Sequence, residues 1–289
     1  MSTQNTILVT GANGQLGMEF RELEKQFPGY RFLFASKEEL SIADKASIDQ
    51  YFSTHDIHYC FNCAAYTAVD KAEQEKDIAL NINATAVGSL AAACKQYNAG
   101  FFHFSTDYVF NGEATNAYTP ADATDPVNFY GQTKLEGEQF AVANNPQAII
   151  IRTSWVYSRF GKNFVKTMLR LMHEKESISV VADQYGSPTY AADLASAVMQ
   201  MIATEKLTAG IYHYCNEGVI SWFEFATAIK ELSHSPCKVN PITTADYPTP
   251  AKRPAYSALD TQKIQAEYNL VIPSWKVSLE KCIAGLSFE

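Results

Sequence analysis

Tyr130 and Lys134 are the two side chains whose types and spacing best suit acid–base chemistry. They lie four residues apart, and residues at that spacing share one face of a helix. Of the 16 tyrosines, only Tyr130 has a lysine four residues further on. An ammonium beside a phenol favours the phenolate and would lower the tyrosine pKa from its ordinary value of about 10. The pair predicts a phenol that transfers a proton, although a solvated helix face would show the same spacing.

A glycine-rich turn near the N-terminus predicts where a nucleotide would bind. Residues 6–10 are an apolar, β-branched run typical of a buried strand, and they lead directly into residues 11–17. Glycines in such a turn allow a tight bend, close approach of a pyrophosphate and close packing of the next helix, whose N-terminus attracts phosphate. The spacing Gly-x-x-Gly-x-x-Gly would also suit an ordinary β–α turn. The candidate cofactor-binding residues here are Gly11, Asn13, Gly14, Gln15, Leu16 and Gly17.

The rest of the chain alternates strand-like and helix-like runs, which predicts an α/β fold with a parallel sheet covered on both faces. The predicted strands lie near 6–10, 31–35, 58–63, 100–105, 147–152, 178–182 and 210–214. The predicted helices cover 15–27, 45–54, 76–97, 129–144, 161–175, 190–204, 221–233 and 275–285.

The composition changes after about residue 235, where prolines become frequent. Because proline interrupts regular structure, this tail is predicted to be a loop-rich region that closes over a pocket. Lys252 and Arg253 are adjacent cations that would suit a diphosphate, and a solvated loop explains them equally well. The prolines are Pro236, Pro241, Pro248, Pro250 and Pro254.

The overall composition argues against several classes of partner. The net charge is −8 and the pI about 5.3, without basic runs, so nucleic acid and anionic membrane are not expected. No run of 18 apolar residues and no N-terminal signal peptide is visible, which predicts a cytoplasmic protein. A hydrophobic fraction of 47% suffices for a large core.

The six cysteines are predicted to be buried, reduced thiols. Cys60 and Cys63 form a C-x-x-C, but they fall in a strand-like run, where positions three apart point to opposite faces. The histidines do not cluster with acidic residues or cysteines at metal-ligand spacing, so no metal site is predicted.

With the glycine turn at 11–17 and the pair at 130–134, the chain resembles the extended short-chain dehydrogenase/reductase family. Residues 62–65 resemble the family's Asn-x-Ala-Ala turn after the third strand, and residues 105–110 resemble its catalytic Ser/Thr segment after the fourth. Residues 64–73, 105–110, 152–157 and 183–189 resemble, more narrowly, the dTDP-4-dehydrorhamnose reductase branch of that family.

This resemblance implies a Rossmann-type doubly wound parallel sheet with a smaller C-terminal substrate-binding region. The expected parts are a nucleotide-binding domain over residues 1–155 and a region over 156–289 that completes the sheet and binds the sugar nucleotide. It also implies hydride transfer from a nicotinamide to the C4 ketone of dTDP-4-dehydro-L-rhamnose, which gives dTDP-L-rhamnose.

The resemblance assigns roles to particular residues. Tyr130 would protonate the developing alkoxide, and Thr106 would hydrogen-bond the same oxygen. Lys134 would hold the nicotinamide ribose and lower the pKa of Tyr130. The implied substrate-binding residues are Val69, Thr106, Asp107, Tyr130 and Trp155, with Asp70 in the same pocket. A helix cap formed by Thr106 and Asp107, or a core position for Trp155, remains an alternative.

Cofactor preference is predicted from the residues after the second strand. No acidic residue ends that strand, and Ser36 and Lys37 would accommodate the 2′-phosphate of NADPH. Glu38 and Glu39 follow closely, so NADH stays open. The further cofactor-binding residues that the resemblance implies are Ser41, Ile42, Ala64, Ala65, Tyr66, Tyr130 and Lys134, with Ser41 where many relatives have aspartate.

Some members of the family bind Mg²⁺ between subunits through glutamates. Glu19 could match one of these, but Ala192 stands where another is expected, so neither a metal nor that route to a dimer is predicted. A monomer or a homodimer is expected. The alternatives are a sugar-nucleotide epimerase or dehydratase that retains NAD, and a non-catalytic regulatory subunit of the methionine adenosyltransferase type.

Overall fold

A six-stranded parallel sheet organises the protein, whose computed structural model describes residues 4–286. The strands, in chain order, are β1 (Asn5–Thr10), β2 (Tyr30–Ala35), β3 (Tyr59–Asn62), β4 (Gly100–Thr106), β5 (Ile149–Thr153), β6 (Val156–Tyr157), β7 (Ser177–Val181), β8 (Tyr185–Gly186), β9 (Thr189–Tyr190), β10 (Gly210–His213), β11 (Ile220–Ser221) and β12 (Lys238–Ile242). The sheet has the order β10-β5-β4-β3-β1-β2 with every neighbouring pair parallel, which confirms the predicted doubly wound fold.

Helices cover both faces of this sheet, and further helices lie beside it. In chain order the helices are α1 (Gln15–Leu23), α2 (Lys45–Thr54), α3 (Val69–Ala72), α4 (Lys76–Leu80), α5 (Ala86–Gln96), α6 (Phe129–Asn144), α7 (Phe164–Glu174), α8 (Ala191–Ala203), α9 (Trp222–Leu232), α10 (Gln262–Tyr268) and α11 (Trp275–Ala284). A π-helical turn, Asn81–Thr85, joins α4 to α5, so the helix predicted over 76–97 is one run with a local bulge.

Alternation along each strand divides the core into two layers. In β1, Ile7 and Val9 pack with residues of α1 and α8, whereas Leu8 packs with residues of α2 and α5. Neighbouring strands repeat this alternation in register. The register therefore determines which face of the sheet each polar residue at a strand's carboxyl end occupies.

The carboxyl edge of the sheet is where this topology places a ligand. The chain order reverses at β1, which has β2 on one side and β3 on the other. In open parallel sheets, ligands bind in the crevice outside the carboxyl ends of the strands at such a switch point. The glycine turn follows β1, and the segment with Thr106 ends β4, so both reach this edge.

The later part of the chain builds a second apolar cluster beside the sheet. Residues of α7, α9, α11 and β7 form it, while β10 and α8 return to the central sheet and its covering layer. The proline-rich tail is more regular than expected, because Pro241 lies inside β12, which pairs with β7 alone. A proline is tolerated there because an edge strand can leave one side of its backbone unpaired.

One helical run meets the length and composition of a membrane span, although no 18 consecutive residues are apolar. It is Lys76–Gln96, and 56% of its apolar window is buried inside the protein. A core helix of a globular protein satisfies the same test, and α5 packs on α2, α6 and the sheet. The run is therefore weak evidence for a membrane segment.

Candidate active site

The first turn of α6 brings Tyr130 to the segment that ends β4. The Asn128 side chain caps the helix by accepting a hydrogen bond from the amide of Gly131 at 2.8 Å. Gly131 has no room for a Cβ because the carbonyl oxygen of Tyr108 lies against it. This close approach places the phenol of Tyr130 within reach of the Thr106 hydroxyl, whose hydrogen bond affects the phenol's pKa.

Lys134 is almost completely buried, one helical turn beyond Tyr130, with an exposed fraction of 1%. Its ammonium donates to the carbonyl oxygen of Phe104 at 2.6 Å and lies 3.3 Å from Nε2 of His103. Burial lowers the pKa of Lys134 to about 8, and the nearby Glu138 carboxylate opposes that shift. The charged and neutral amines are therefore both accessible near neutral pH.

The expected lowering of the Tyr130 pKa by Lys134 is not what the structure gives. Burial and the negative charge of Asp107 raise the pKa of Tyr130 above its ordinary value, and only the hydrogen bond with Thr106 lowers it. Lys134 is not among the groups that shift this pKa, because its ammonium is held by Phe104 on the sheet side. Tyr130 thus holds its proton more firmly than a free phenol does.

Thr106 and Asp107 form a short buried turn after β4. The Thr106 hydroxyl donates to Oδ1 of Asp107 at 3.0 Å and accepts from the amide of Tyr108 at 3.2 Å. Thr106 therefore does cap a turn, as the alternative interpretation expected, and it also reaches Tyr130. Oδ2 of Asp107 is buried without a hydrogen-bond partner in the described part of the chain. Burial raises the pKa of Asp107 to about 6, although hydrogen bonds with the hydroxyls of Ser257 and Thr106 lower it.

Replacing Asp107 with asparagine should change how stability depends on pH. A carboxyl whose pKa is raised on folding binds its proton more tightly in the folded state, so ionisation costs stability as pH rises. Between about pH 4 and pH 6 the wild type should lose about 2 kcal/mol relative to Asp107→Asn, out of about 3 kcal/mol over the whole titration. Urea unfolding at a series of pH values measures this difference. Parallel curves for the wild type and Asp107→Asn would contradict the prediction.

The glycine turn has the geometry of a phosphate cradle. Gly11 adopts a positive φ of 62°, and a Cβ there would lie 2.6 Å from the backbone nitrogen of Ala64. Gly14 is the N-cap of α1 and has no side chain to cap it, so the amides of the first turn have no side-chain partner. A Cβ at Gly17 would lie 2.6 Å from the carbonyl oxygen of Gly11. These features fit a pyrophosphate at the helix N-terminus.

The other predicted residues of this turn differ in exposure. Asn13 is exposed, and Leu16 is partly buried against the core. Gln15 is partly buried and accepts a hydrogen bond at 3.0 Å from the side chain of Asn163, which precedes α7. The cradle is thereby tied to the later part of the chain.

The loop after β3 lies against the cradle, and a residue that the sequence analysis did not single out holds it. Ala64 contacts Gly11, and Ala65 and Tyr66 follow it along the loop. The amide of Tyr66 donates to Asn83 at 2.8 Å, and the Asn83 side chain returns a bond to the Tyr66 carbonyl at 3.0 Å. Asn83 lies in the π-helical turn, a feature often found at functional sites. Locally, Asn83-Ala84-Thr85 matches a glycosylation sequon, which carries no information about this role.

The residues after β2 occupy a different part of the same edge. The amide of Ser36 donates to the Glu39 carboxylate at 2.8 Å, which engages one of the two acidic residues that left NADH open. Ile42 is buried in the core layer with Leu40, while Ser41 is partly exposed. Their predicted contact with the adenosine part of a cofactor stays a prediction.

A cleft of about 680 Å³ opens beside Tyr108 and continues towards β7 and α7. Its lining residues include Asp70, Tyr108, Phe164, Trp222 and Arg253. Arg253 forms a bidentate ion pair with Asp70, at 2.5 and 2.8 Å, across this cleft. The adjacent cations of the tail therefore lie in different environments, because Arg253 pairs with Asp70 whereas Lys252 is exposed.

Trp155 stacks on Trp222 with the ring centroids 3.5 Å apart, and it is Trp222 that lines the cleft. Trp155 has a φ of 48°, an unusual backbone for a bulky side chain and one that favours a functional role. Val69 is partly buried at the start of α3 and does not line the cleft, unlike its neighbour Asp70. The sequence analysis did not identify Trp222.

A buried ion pair between Glu138 and Arg152 lies beneath the site, and the sequence analysis did not predict it. Glu138 accepts from Arg152 in a bidentate arrangement, at 2.9 and 2.7 Å, and from the Ser105 hydroxyl at 2.5 Å. Glu138 follows Lys134 by four residues, so helical spacing was the available signal.

Cysteine and acidic side chains are the other potential metal ligands of the chain. All six cysteines are free; five are buried and Cys63 is partly buried. Glu19 is buried and accepts from the Ser158 hydroxyl at 2.6 Å, with Arg159 nearby. Within residues 4–286 no three histidine, cysteine or acidic side chains gather as a metal site would require.

A glycine cradle after β1 and a Tyr–Lys–Thr group at the carboxyl edge of a doubly wound sheet define an extended short-chain dehydrogenase/reductase. Residues 5–288 match the family described as the RmlD substrate binding domain. The chain therefore belongs to the RmlD, or dTDP-4-dehydrorhamnose reductase, family.

Individual relatives agree with this assignment. The dTDP-4-dehydrorhamnose reductase of Aggregatibacter actinomycetemcomitans is 41% identical, covering 95% of this chain and 97% of the relative. The structure of the Bacillus anthracis dTDP-4-dehydrorhamnose reductase in complex with NADP superposes with a TM-score of 0.94 and 39% identity, over 98% of this chain and 99% of that one. The Clostridium acetobutylicum dTDP-4-dehydrorhamnose reductase gives a TM-score of 0.91 and 40% identity, over 96% and 98%.

Proposed function

We propose that this protein reduces the C4 ketone of dTDP-4-dehydro-L-rhamnose with NADPH and releases dTDP-L-rhamnose. The observation that carries the proposal is the meeting of Tyr130 with Thr106 beside the glycine cradle, in a chain of the dTDP-4-dehydrorhamnose reductase family. The NADP complex of the Bacillus anthracis relative supports the choice of cofactor. Ser36 and Lys37 after β2 suit a 2′-phosphate, and Glu39 is engaged by the Ser36 amide.

Tyr130 acts as the general acid of the reduction. Bound NADPH supplies a hydride to the C4 carbon, and the C4 oxygen gains negative charge as the hydride arrives. Tyr130 donates its proton to that oxygen, and Thr106 stabilises the charge by turning its one hydroxyl donor from Asp107 to the substrate oxygen. A raised tyrosine pKa suits this direction of reaction, because the phenol must be protonated before the hydride transfer begins. The tyrosine regains its proton from solvent afterwards.

Lys134 binds the cofactor and does not acidify Tyr130 before the cofactor binds. Two acceptors on the sheet side, Phe104 and His103, account for two of the three N–H donors of its ammonium. The third donor is then available for the nicotinamide ribose. This assignment keeps Tyr130, Lys134 and Thr106 as the catalytic residues.

The cleft supplies the contacts for the sugar nucleotide. Oδ2 of Asp107 is a buried acceptor with no partner among residues 4–286, and a hydroxyl of the deoxysugar would satisfy it. The Arg253 guanidinium would meet the diphosphate by exchanging one carboxylate oxygen of Asp70 for a phosphate oxygen. The Trp155–Trp222 stack would present an apolar surface to the C6 methyl group, with Trp222 exposed to the cleft.

The direct test is consumption of NADPH by the purified protein in the presence of dTDP-4-dehydro-L-rhamnose, followed by identification of the product. We expect one NADPH oxidised per dTDP-L-rhamnose formed, and slower oxidation with 4-keto nucleotide sugars that differ at C3 or C5. Absence of oxidation with every 4-keto nucleotide sugar would overturn the proposal. NAD retained through purification would then favour an epimerase or dehydratase, and a stoichiometric protein partner without turnover would favour a regulatory subunit.

A cytoplasmic location and a monomeric or homodimeric state are expected from the sequence. The residues assigned to cofactor and substrate remain part of the proposal.

A further inference from the structure

A row of polar side chains crosses the carboxyl edge of the sheet beneath α6. Strand register pairs Thr10 of β1 with Asn62 of β3, and Asn62 with His103 of β4. Their side chains are linked at 2.7 Å between Thr10 and Asn62 and at 3.1 Å between Asn62 and Nδ1 of His103. Nε2 of His103 lies 3.3 Å from the Lys134 ammonium, which completes the row.

These four side chains are closed off from solvent. Their exposed fractions are 1% for Thr10, 1% for Asn62, 0% for His103 and 1% for Lys134. Each lies on the face that also carries Leu8 and α6. Burying polar groups in an apolar layer is costly unless they bond to one another, so the order of donors and acceptors along the row is constrained.

The charge on Lys134 determines that order. An ammonium has no lone pair, so Nε2 of His103 must accept and Nδ1 must carry the ring proton. Asn62 must then receive that proton through Oδ1 and donate through its amide nitrogen to Thr10. In this arrangement the amide oxygen of Asn62 faces His103 and its nitrogen faces Thr10, which is the reverse of the orientation in the structure. The two orientations of a side-chain amide have the same shape.

We propose that His103 is a positioning residue: its Nε2 accepts a hydrogen bond from Lys134, and Asn62 and Thr10 hold the ring in the Nδ1–H tautomer. Together with the Phe104 carbonyl, His103 takes two of the three donors of the ammonium and directs the third towards the cofactor ribose. This role deepens the proposed function and rests on Lys134 acting there.

The surroundings of Lys134 are consistent with a neutral histidine. Burial and the charge of Lys134 hold the pKa of His103 well below its ordinary value. The titratable groups around Lys134 are His103 on β4, Glu138 and Tyr130 on its own helix, and Arg152 on β5, which is paired with Glu138. An acceptor at His103 favours the ammonium, so its loss should make Lys134 easier to deprotonate.

NMR of the cofactor-free protein tests the tautomer directly. Long-range ¹H–¹⁵N spectra of ¹⁵N-histidine-labelled protein distinguish a protonated from an unprotonated ring nitrogen, and His103→Gln identifies the His103 signals. We expect a proton on Nδ1 and none on Nε2 at pH 7. A proton on Nε2 would overturn the proposal.

The pH dependence of NADPH binding tests whether His103 helps to keep Lys134 protonated. We expect affinity to fall as pH rises through the Lys134 pKa, and this fall should move about one to two pH units lower in His103→Leu. His103→Gln should restore it in part, because Oε1 can accept from Lys134. An unshifted pH profile in His103→Leu would overturn the proposal. If that variant does not fold, Asn62→Leu replaces it, and an unshifted profile with unchanged NADPH affinity in Asn62→Leu would overturn the proposal.

A matched control separates this role from a general packing effect. His213 is another fully buried histidine of the sheet, on β10, and it bonds the carbonyl of Tyr118 at 3.0 Å. His213→Leu should lose stability but keep the wild-type pH profile, and the same shift there would count against a special role for His103. Neither measurement uses a sugar nucleotide, so failure of the proposed substrate would be seen separately, in the turnover assay.

Discussion

Tyr130→Phe is expected to lower the turnover number for NADPH-dependent reduction by about 10²- to 10⁴-fold, the usual contribution of a general acid. The substitution removes one oxygen and leaves the ring, which packs edge-to-face on Tyr108 at 5.8 Å. NADPH affinity should change little, because the cradle at Gly11 is untouched. Single-turnover kinetics and a separate measurement of NADPH binding resolve the two effects.

Tyr212→Phe is the matched control, because it removes a buried hydroxyl from β10 that donates to the carbonyl of Thr208 at 3.0 Å. This variant should lose some stability and keep its turnover. If Tyr130→Phe retained wild-type turnover, the phenol could not be the proton donor. Equal losses in both variants would point instead to a general effect of removing a buried hydroxyl.

Gly11→Ala should have the second largest effect, on cofactor binding and stability together. Alanine at a φ of 62° is strained, and its Cβ would meet the Ala64 backbone at 2.6 Å. We expect NADPH affinity to fall by at least about tenfold and the free energy of unfolding to fall by about 2–4 kcal/mol. Fluorescence titration with NADPH and denaturant unfolding measure the two quantities.

Gly29→Ala provides the comparison at a glycine that no ligand is predicted to approach. Nothing lies within 4 Å of a Cβ at Gly29, and its φ is not in the left-handed region. This variant should bind NADPH as the wild type does and be equally or slightly more stable. If Gly11→Ala bound NADPH with wild-type affinity, the turn after β1 could not be the phosphate site.

Local patterns predicted most of the scaffold. The strands of the central sheet and the long helices fall close to their predicted positions, because hydrophobic periodicity and glycine turns depend on neighbouring residues. Short elements were missed, including α3, α10 and β12, since a few residues carry too little periodicity. Pro241 hid β12 because a proline excludes a central strand but not an edge strand.

Electrostatics within the site were predicted less well. The i,i+4 spacing of Tyr130 and Lys134 is real, but spacing along a helix does not reveal what else each group contacts. Lys134 is held by Phe104, and Tyr130 is influenced by Asp107 and Thr106. The pKa of a buried group depends on desolvation and on charges from other elements, neither of which is encoded in local spacing.

The sequence by itself determined the fold class, the glycine turn, the family, and the residues expected to do the chemistry. Only the tertiary structure decided that burial raises the Tyr130 pKa, that Arg253 pairs with Asp70, and that Asn83 and His103 contact Tyr66 and Lys134. The physical reason is that these properties arise from residues far apart in the chain, brought together at the carboxyl edge of one sheet. Burial there removes water as a partner, so each polar side chain depends on the others.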